Sequence, residues 1–471
     1  MADPTRPTRA FDRSIIDGPI AHAVWKMAWP TMLQNMIAGL QGIVDHTMVG
    51  HFVGYTGNAA IGVSWQIFLV VIVFIASMYS GMAVLVARFA GAGEPDKVNR
   101  VVYQAFLCSL FLGALVMAPL GYALSPWLLD QVNAAPAVKA EALPFLRTTF
   151  VCGVGMLMYF MLGGALRAAG DARTPLYLGV VMTVLNAALN IVLIPGLGPF
   201  PRFGTLGAAI GTATASVTIS VIGLWLLFTH RTPISFTRTM AWRPDWTIIR
   251  SLFRFGLPTG FQGVAMNLAG VLLLRFIGSL EQSAQAQAAY AVCYTQLFSF
   301  ITWTSVGLMG ATSAIAGQNL GANRPERSML GVEAASRIGL IVAGAIGVLF
   351  VALPAQLLGI FGMTDPDVIR LGTQLLRVLS VSGFFITVAL VYTGGLQGTG
   401  DTRSPFYISV VSQMVVPLGL CAVAQATIGL QAIHIWLAIF VGHFMRCLLS
   451  VLRFRQEKWR GIAVDIGEAS A

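Results

Sequence analysis

Two stretches of this chain, 230 residues apart, are copies of each other. Gly164 to Pro175 (GALRAAGDARTP) aligns with Gly394 to Pro405 (GGLQGTGDTRSP). At the same offset, Gly91 to Lys97 (GAGEPDK) aligns with Gly321 to Arg327 (GANRPER). With a two-residue slip, Pro30-Thr31 matches Pro258-Thr259. A register kept over that distance means one duplicated unit, and each half must then fold into a like bundle. In a membrane chain such a duplication points to two bundles facing a shared pathway, the architecture of a transporter.

Composition places the copies in a bilayer. Charged residues make up only 10% of the 471 and hydrophobic ones 56%, with a mean hydropathy of +0.76. A soluble chain carries about 25% charged residues. Twelve apolar runs lie near 24–50, 58–84, 101–123, 144–167, 176–196, 205–229, 254–279, 286–314, 337–360, 372–396, 406–425 and 429–452. About 20 residues of helix span a hydrocarbon core of about 30 Å. The predicted fold is therefore an all-α polytopic membrane protein with 12 transmembrane helices in two six-helix bundles related by internal duplication. An even number of spans per copy makes the repeats parallel, with an axis along the membrane normal.

The expected divisions are a cytoplasmic tail (1–23), a first bundle (24–229), a cytoplasmic linker (230–253), a second bundle (254–452) and a second cytoplasmic tail (453–471). Orientation follows from the basic residues. With the N-terminus cytoplasmic, 23 of the 29 Lys and Arg fall inside, among them Arg6, Arg9, Arg13, Arg238, Arg243, Arg446 and Arg453. The net charge of +10 then reflects this bias and affinity for anionic lipid headgroups. Basic residues scattered over many loops argue against nucleic-acid binding. The first 22 residues combine Arg and Asp without an apolar core, so no cleaved signal peptide is expected. The five cysteines show neither a disulfide framework nor metal spacing. The phosphate loop of nucleotide hydrolases and the G-x-S-x-G elbow are both missing, which excludes the commonest ATPase and hydrolase classes.

Together these features carry a family resemblance. Pro30 is followed by Val44-Asp45-His46-Thr47-Met48-Val49-Gly50 and Gly57-Asn58-Ala59-Ala60, then by the paired Gly-Asp-x-Arg-[Thr/Ser]-Pro loops. Asn186 with Asn190, and Gly207 to Thr212 (GAAIGT), complete the set. The chain resembles a multidrug and toxic compound extrusion (MATE) transporter over nearly its whole length. The resemblance implies export of organic cations and other amphipathic compounds in exchange for protons or sodium ions. It implies an inner-membrane location, no cofactor beyond the coupling ion, and no obligate protein partner.

Asp45 is the acidic residue set deepest in an apolar span. Burying an uncompensated carboxylate in hydrocarbon costs at least about 2.5 kcal/mol, so a retained one usually serves a proton, an ion or a counter-charge. Burial disfavours its charged form and a bound cation favours it. Asn186 and Asn190, one helical turn apart, share a face of the fifth span. Their amide oxygens suit a sodium ion or a proton network. In DinF-like relatives the position of Asn190 is typically Asp, paired with the first-span Asp, and Thr212 supplies the matching hydroxyl. Asn at that position removes one negative charge. NorM-like relatives carry a Glu eight residues after the seventh-span proline, where this chain has Met266, and an Asp in the tenth span, where it has no acid. Proton coupling through Asp45, Asn186, Asn190 and Thr212, in the DinF-like manner, is the expectation.

Pro30 and Pro258 are read as beginning matching helices and permitting a bend. A substrate cavity wall is sought in the second half at Met266, Asn267, Tyr290, Tyr294 and Tyr392, since aromatic faces attract organic cations and methionine adapts to varied shapes. The reading is an antiporter for small, often cationic, organic compounds, with no catalytic residues and no resident metal. Its rivals are a flippase or exporter of a lipid-linked or specialised metabolite, and a non-transporting membrane receptor. A flippase favours a strongly basic central cavity, and the sequence speaks against it, since Arg275 alone among second-half basic residues is placed near a span interior, at its end.

Overall fold

A computed structural model describes residues 11–464 and 466, except 133, 238–239 and 241–242. Arg6, Arg9 and Arg238, counted above for orientation, lie outside the described residues. The chain is almost wholly helical. Its long helices are α1 (Ile20–Phe52), α2 (Tyr55–Ala92), α3 (Pro95–Gln131), α4 (Pro136–Ala168), α5 (Arg173–Leu193) and α6 (Thr205–Phe228). The second copy gives α7 (Trp246–Gly278), α8 (Ser283–Gly321), α9 (Pro325–Ala352), α10 (Pro366–Thr399), α11 (Arg403–Thr427) and α12 (Ala432–Arg455). The eleven helices from α2 to α12 are long and apolar enough to cross a membrane. Helix α1 has the length, at 33 residues, but carries Gln34, Asn35, Gln41 and Asp45. Its polarity is explained by the site it lines.

The duplication is visible in backbone detail. Gly93 and Asn323 both adopt left-handed conformations, with φ of 76° and 59°. In each copy the next amide returns to a carbonyl five residues back: Glu94 to Phe89 at 2.9 Å and Arg324 to Asn319 at 2.8 Å. The Gly-Asp loops repeat as closely. Asp171 accepts from the Thr174 amide (3.0 Å) and hydroxyl (2.6 Å), and Asp401 from the Ser404 amide (3.1 Å) and hydroxyl (2.8 Å). These aspartates cap the first turns of α5 and α11.

Most helices extend beyond the apolar runs that mark them, because their first turns carry polar and charged residues. Helix α7 begins at Trp246, inside the expected linker, and α1 begins at Ile20, inside the expected tail. Pro30 and Pro258 are consequently interior prolines, more than two turns past the starts of α1 and α7, and do not begin those helices. Next to Pro30, the Thr31 hydroxyl bonds the carbonyls of Met27 and Ala28, both at 2.9 Å.

Two compact units result, and their limits differ from the expected 24–229 and 254–452. The first unit contains Leu33–Leu257, and the second contains Ser14–Met32 and Pro258–Ala463. Close backbone packing explains the boundaries. A Cβ on Gly256 would sit 2.2 Å from the Ser77 carbonyl oxygen, so the first half of α7 fits tightly against α2. A Cβ on Gly307 would sit 2.6 Å from Met32 Cα, which fixes the first half of α1 against α8. The segment expected as a tail is also held. A short helix, Ser14–Asp17, buries Ile15 and Ile16, and Arg324 donates to the Ile16 carbonyl at 2.9 Å. In the first unit the linker is fastened to α3: Ser235 N bonds Asn99 Oδ1 (2.9 Å), and Arg100 pairs with Asp245 (2.9 Å).

Three stretches widen into π-helix: Leu112–Met117 in α3, Ala291–Leu297 in α8 and Val411–Val415 in α11. Pro119 and Pro417 follow the first and third, and a missing proline N–H frees a carbonyl one turn back. The stretch in α8 has no such proline and coincides with stacked Tyr290 and Tyr294.

Candidate functional site: an acidic cavity in the first unit

A cavity of about 290 Å³ opens among α1, α2, α4, α5 and α6 of the first unit. On α1 it is lined by Gln34, Gln41 and Asp45, which at spacings of seven and four residues share one helical face. At about 1.5 Å per residue this face runs about 16 Å. Trp65, Phe145, Met156, Tyr159 and Phe160 supply apolar walls, and Thr183, Thr212 and Ser216 supply hydroxyls.

The carboxylate is held by α5. Asn190 Nδ2 donates to Asp45 Oδ1 at 2.7 Å. The Asn186 amide satisfies both neighbours when its nitrogen faces Asp45 Oδ1 at 3.1 Å and its oxygen accepts from the Thr212 hydroxyl at 3.0 Å. Both asparagines are fully buried, so these bonds are shielded from water. The four residues read from sequence as one group, Asp45, Asn186, Asn190 and Thr212, are thus one hydrogen-bonded cluster. Asn190 Oδ1 is buried with no partner among the described residues. It sits against Gly211, where a Cβ would come within 2.3 Å of it. Only a residue without a side chain leaves room for this amide.

Towards the other end of the α1 face, Arg167 Nη1 donates to Gln34 Oε1 (3.0 Å), and Gln34 Nε2 donates to the Tyr159 hydroxyl (3.0 Å). Thr183 donates to Gln41 at 3.0 Å, and His46 Nδ1 lies 2.6 Å from Asn58 Oδ1. Sequence reading missed these residues, although the spacing of Gln34, Gln41 and Asp45 was a usable signal: three polar residues on one face of an otherwise apolar helix.

The five residues sought as a cavity wall in the second half do not border this cavity. Tyr290 and Tyr294 stack on each other at 4.9 Å inside the second unit, whereas Tyr392 packs edge-on against Phe454. Asn267 bonds the carbonyl of Gly263, one turn back, and Met266, its neighbour on α7, is half-buried. Arg446 departs further from expectation. It was counted among cytoplasmic cations, yet it is 5% exposed within α12. Its position near the end of an apolar run hid this, because the helix continues to Arg455.

Comparison with known proteins agrees with this architecture. The MatE family model matches residues 30–192 and again 258–423, once in each copy. The probable multidrug resistance protein YoeA of Bacillus subtilis is 24% identical over 433 residues, 92% of each chain. The probable multidrug resistance protein NorM of Thermotoga maritima is 25% identical, covering 93% of each chain. The multidrug resistance protein MdtK of Pectobacterium atrosepticum is 26% identical, over 91% of this chain and 94% of its own. Among solved structures, an outward-facing multidrug resistance MATE family transporter of the MOP superfamily superposes with a TM-score of 0.88, at 20% identity, over 96% of this chain and 98% of that one. A MATE protein in a straight conformation gives 0.86 at 21% identity, covering 96% and 98% of the two chains.

Proposed function

This chain belongs to the MatE family, and from that premise we propose that it exports amphipathic, often cationic, organic compounds in exchange for protons. Membership makes it a multi-pass membrane transporter and not an enzyme. The multidrug resistance names of its relatives support the substrate class. The proposal places it in the inner membrane with both termini cytoplasmic, as the basic residues favour.

The observation that carries the coupling is the Asp45 carboxylate in the wall of a mainly apolar cavity, bonded to Asn190 at 2.7 Å. When ionised, Asp45 offers an organic cation a counter-charge and the aromatic walls add attraction of about 0.5–2 kcal/mol. When protonated, it offers none. Amide N–H groups from Asn190 and Asn186 can donate to the carboxylate, and the unpartnered Asn190 Oδ1 suits the hydroxyl of the protonated acid once the amide turns over. The same side chain serves both states. One carboxylate among neutral oxygens suits a proton better than a sodium ion, which supports the DinF-like form of coupling although the relatives include proteins named NorM, YoeA and MdtK. Alternating access follows if protonation shifts the balance between straight and bent α1 at Pro30. A membrane potential contributes about 2.3 kcal/mol per charge per 100 mV to any net charge moved.

The test is export of a fluorescent organic cation from proteoliposomes under a proton or a sodium gradient, with wild type and Asp45→Asn. Proton-driven export that is lost in the variant is the expected result. Undiminished export by Asp45→Asn removes the coupling role, and sodium-driven export replaces the coupling ion.

A further inference from the structure

The second unit contains a buried cation with no counter-charge among the described residues. Arg446 lies on α12, about 13 Å before the helix end at Arg455, a depth within the apolar part of the helix. It is 5% exposed. Its Nε has no hydrogen-bond partner, and no carboxylate pairs with its guanidinium among the described residues. An isolated charge at that depth is expensive, and such a residue normally marks the place of a partner.

Its neighbours on α12 share the deficit. Trp436 Nε1, His443 Nδ1 and Ser450 Oγ are each buried with no partner among the described residues. Residues 436, 443 and 450 recur every seven positions, so with Arg446 they form a polar seam about 20 Å long on one side of the helix. Facing His443 is the aromatic stack of α8. Tyr294 lies parallel to the His443 ring, with centroids 6.3 Å apart, and Phe298 does so at 5.6 Å. Tyr294 sits in the π-helical stretch and stacks on His443, which lies one helical turn before Arg446. A π-helical stretch often marks a functional site. Here, unlike those in α3 and α11, it has no proline to account for it.

We propose that Arg446, with His443 and Tyr294, forms a binding site for an oxyanion group, a carboxylate or phosphate, inside the second unit. A guanidinium presents a planar fork that matches two oxygens of such a group. The flat rings beside it suit an anion carried on an aromatic or other planar body. The site is independent of Asp45, and it adds an anion-recognising element to a chain whose first unit recognises cations.

The experiment is calorimetric titration of the purified full-length transporter in lipid nanodiscs with benzoate and with its neutral isostere benzamide. In neutral lipid, benzoate is expected to bind at least about tenfold more tightly, the worth of a charge-assisted bond. Arg446→Gln abolishes that preference and Arg446→Lys retains part of it, while both variants keep the cation affinity of the wild type. Anionic lipid that suppresses benzoate binding identifies a lipid headgroup as the resident oxyanion; undisturbed binding identifies a soluble or transported one. Equal affinity of the wild type for benzoate and benzamide overturns the proposal, whatever the variants do. Asp45→Asn leaves the benzoate preference intact, which separates this site from the coupling mechanism.

Discussion

Asn190 donates a 2.7 Å hydrogen bond to the carboxylate of Asp45, joining α5 to α1 across 145 residues of sequence. That bond gathers an intramembrane acid and the Thr212 hydroxyl, both in the cavity wall, with two buried amides. In the proposed mechanism it makes the protonation of Asp45 sensitive to the packing of α5 and α6, and this sensitivity can be tested at residues that carry no charge.

Gly211 is one such residue. A Cβ there would lie 2.3 Å from Asn190 Oδ1, so Gly211→Ala must displace the amide that holds Asp45. The expected result is a loss of proton-driven export, with a destabilisation of about 1–3 kcal/mol from overpacking. Gly223→Ala, on the same helix, meets only the end of the Leu162 side chain and serves as the control. Its export per folded molecule should match wild type. Equal loss of export in the two variants would show that Gly211 serves packing alone.

The two Gly-Asp loops are copies with unequal stability roles. Asp171 caps its helix, whereas Asp401 caps its helix and also pairs with Arg453, at 2.9 Å from Nε and 2.8 Å from Nη2, while only 6% exposed. Asp171→Ala should cost about 1 kcal/mol, the worth of a cap. Asp401→Ala should cost about 2–3 kcal/mol, because it also strands a half-buried arginine. Thermal unfolding of the two variants in detergent checks the order, and a larger loss at Asp171 would refute it.

Pro30 interrupts the hydrogen bonding of α1 between its Ile20 end and Asp45. Pro30→Ala restores a backbone bond and should stabilise the straight helix by about 1–3 kcal/mol. Cation affinity should then be kept while export slows, since in the proposed mechanism binding needs Asp45 and turnover needs the bend. Pro258→Ala, at the equivalent place in α7, should act in the same direction. Faster or unchanged export in both variants would separate these prolines from turnover.

Much of this organisation was legible in the chain because the relevant signals are local or periodic. The copied loops, the apolar runs, and the lone acid among them define a duplicated helical membrane protein. Asn186 and Asn190 share a face at any helix rotation, and that alone suggested a paired role. What escaped was non-local. The relay from Arg167 through Gln34 to Tyr159 joins α4 to α1, and although spacing marks Gln34 on its own helix, it does not announce the partners on α4. Arg446 resembled a flanking cation because run-counting stops where polar residues begin, while the helix goes on. The unit boundaries at Met32 and Leu257 depend on glycine contacts between helices distant in sequence.

The exchange of a proton for a cation at Asp45 is tested most directly by following proton release when an organic cation is added to the purified transporter in weakly buffered detergent solution. Wild type should release up to one proton per cation bound, the yield rising towards one as the starting pH is lowered and more Asp45 is protonated. Cation affinity should fall over the same range, because the two ligands compete for one carboxylate. Asp45→Asn should release none. Stoichiometric release that persists in Asp45→Asn, or cation binding by wild type without any release at acidic pH, would contradict the account.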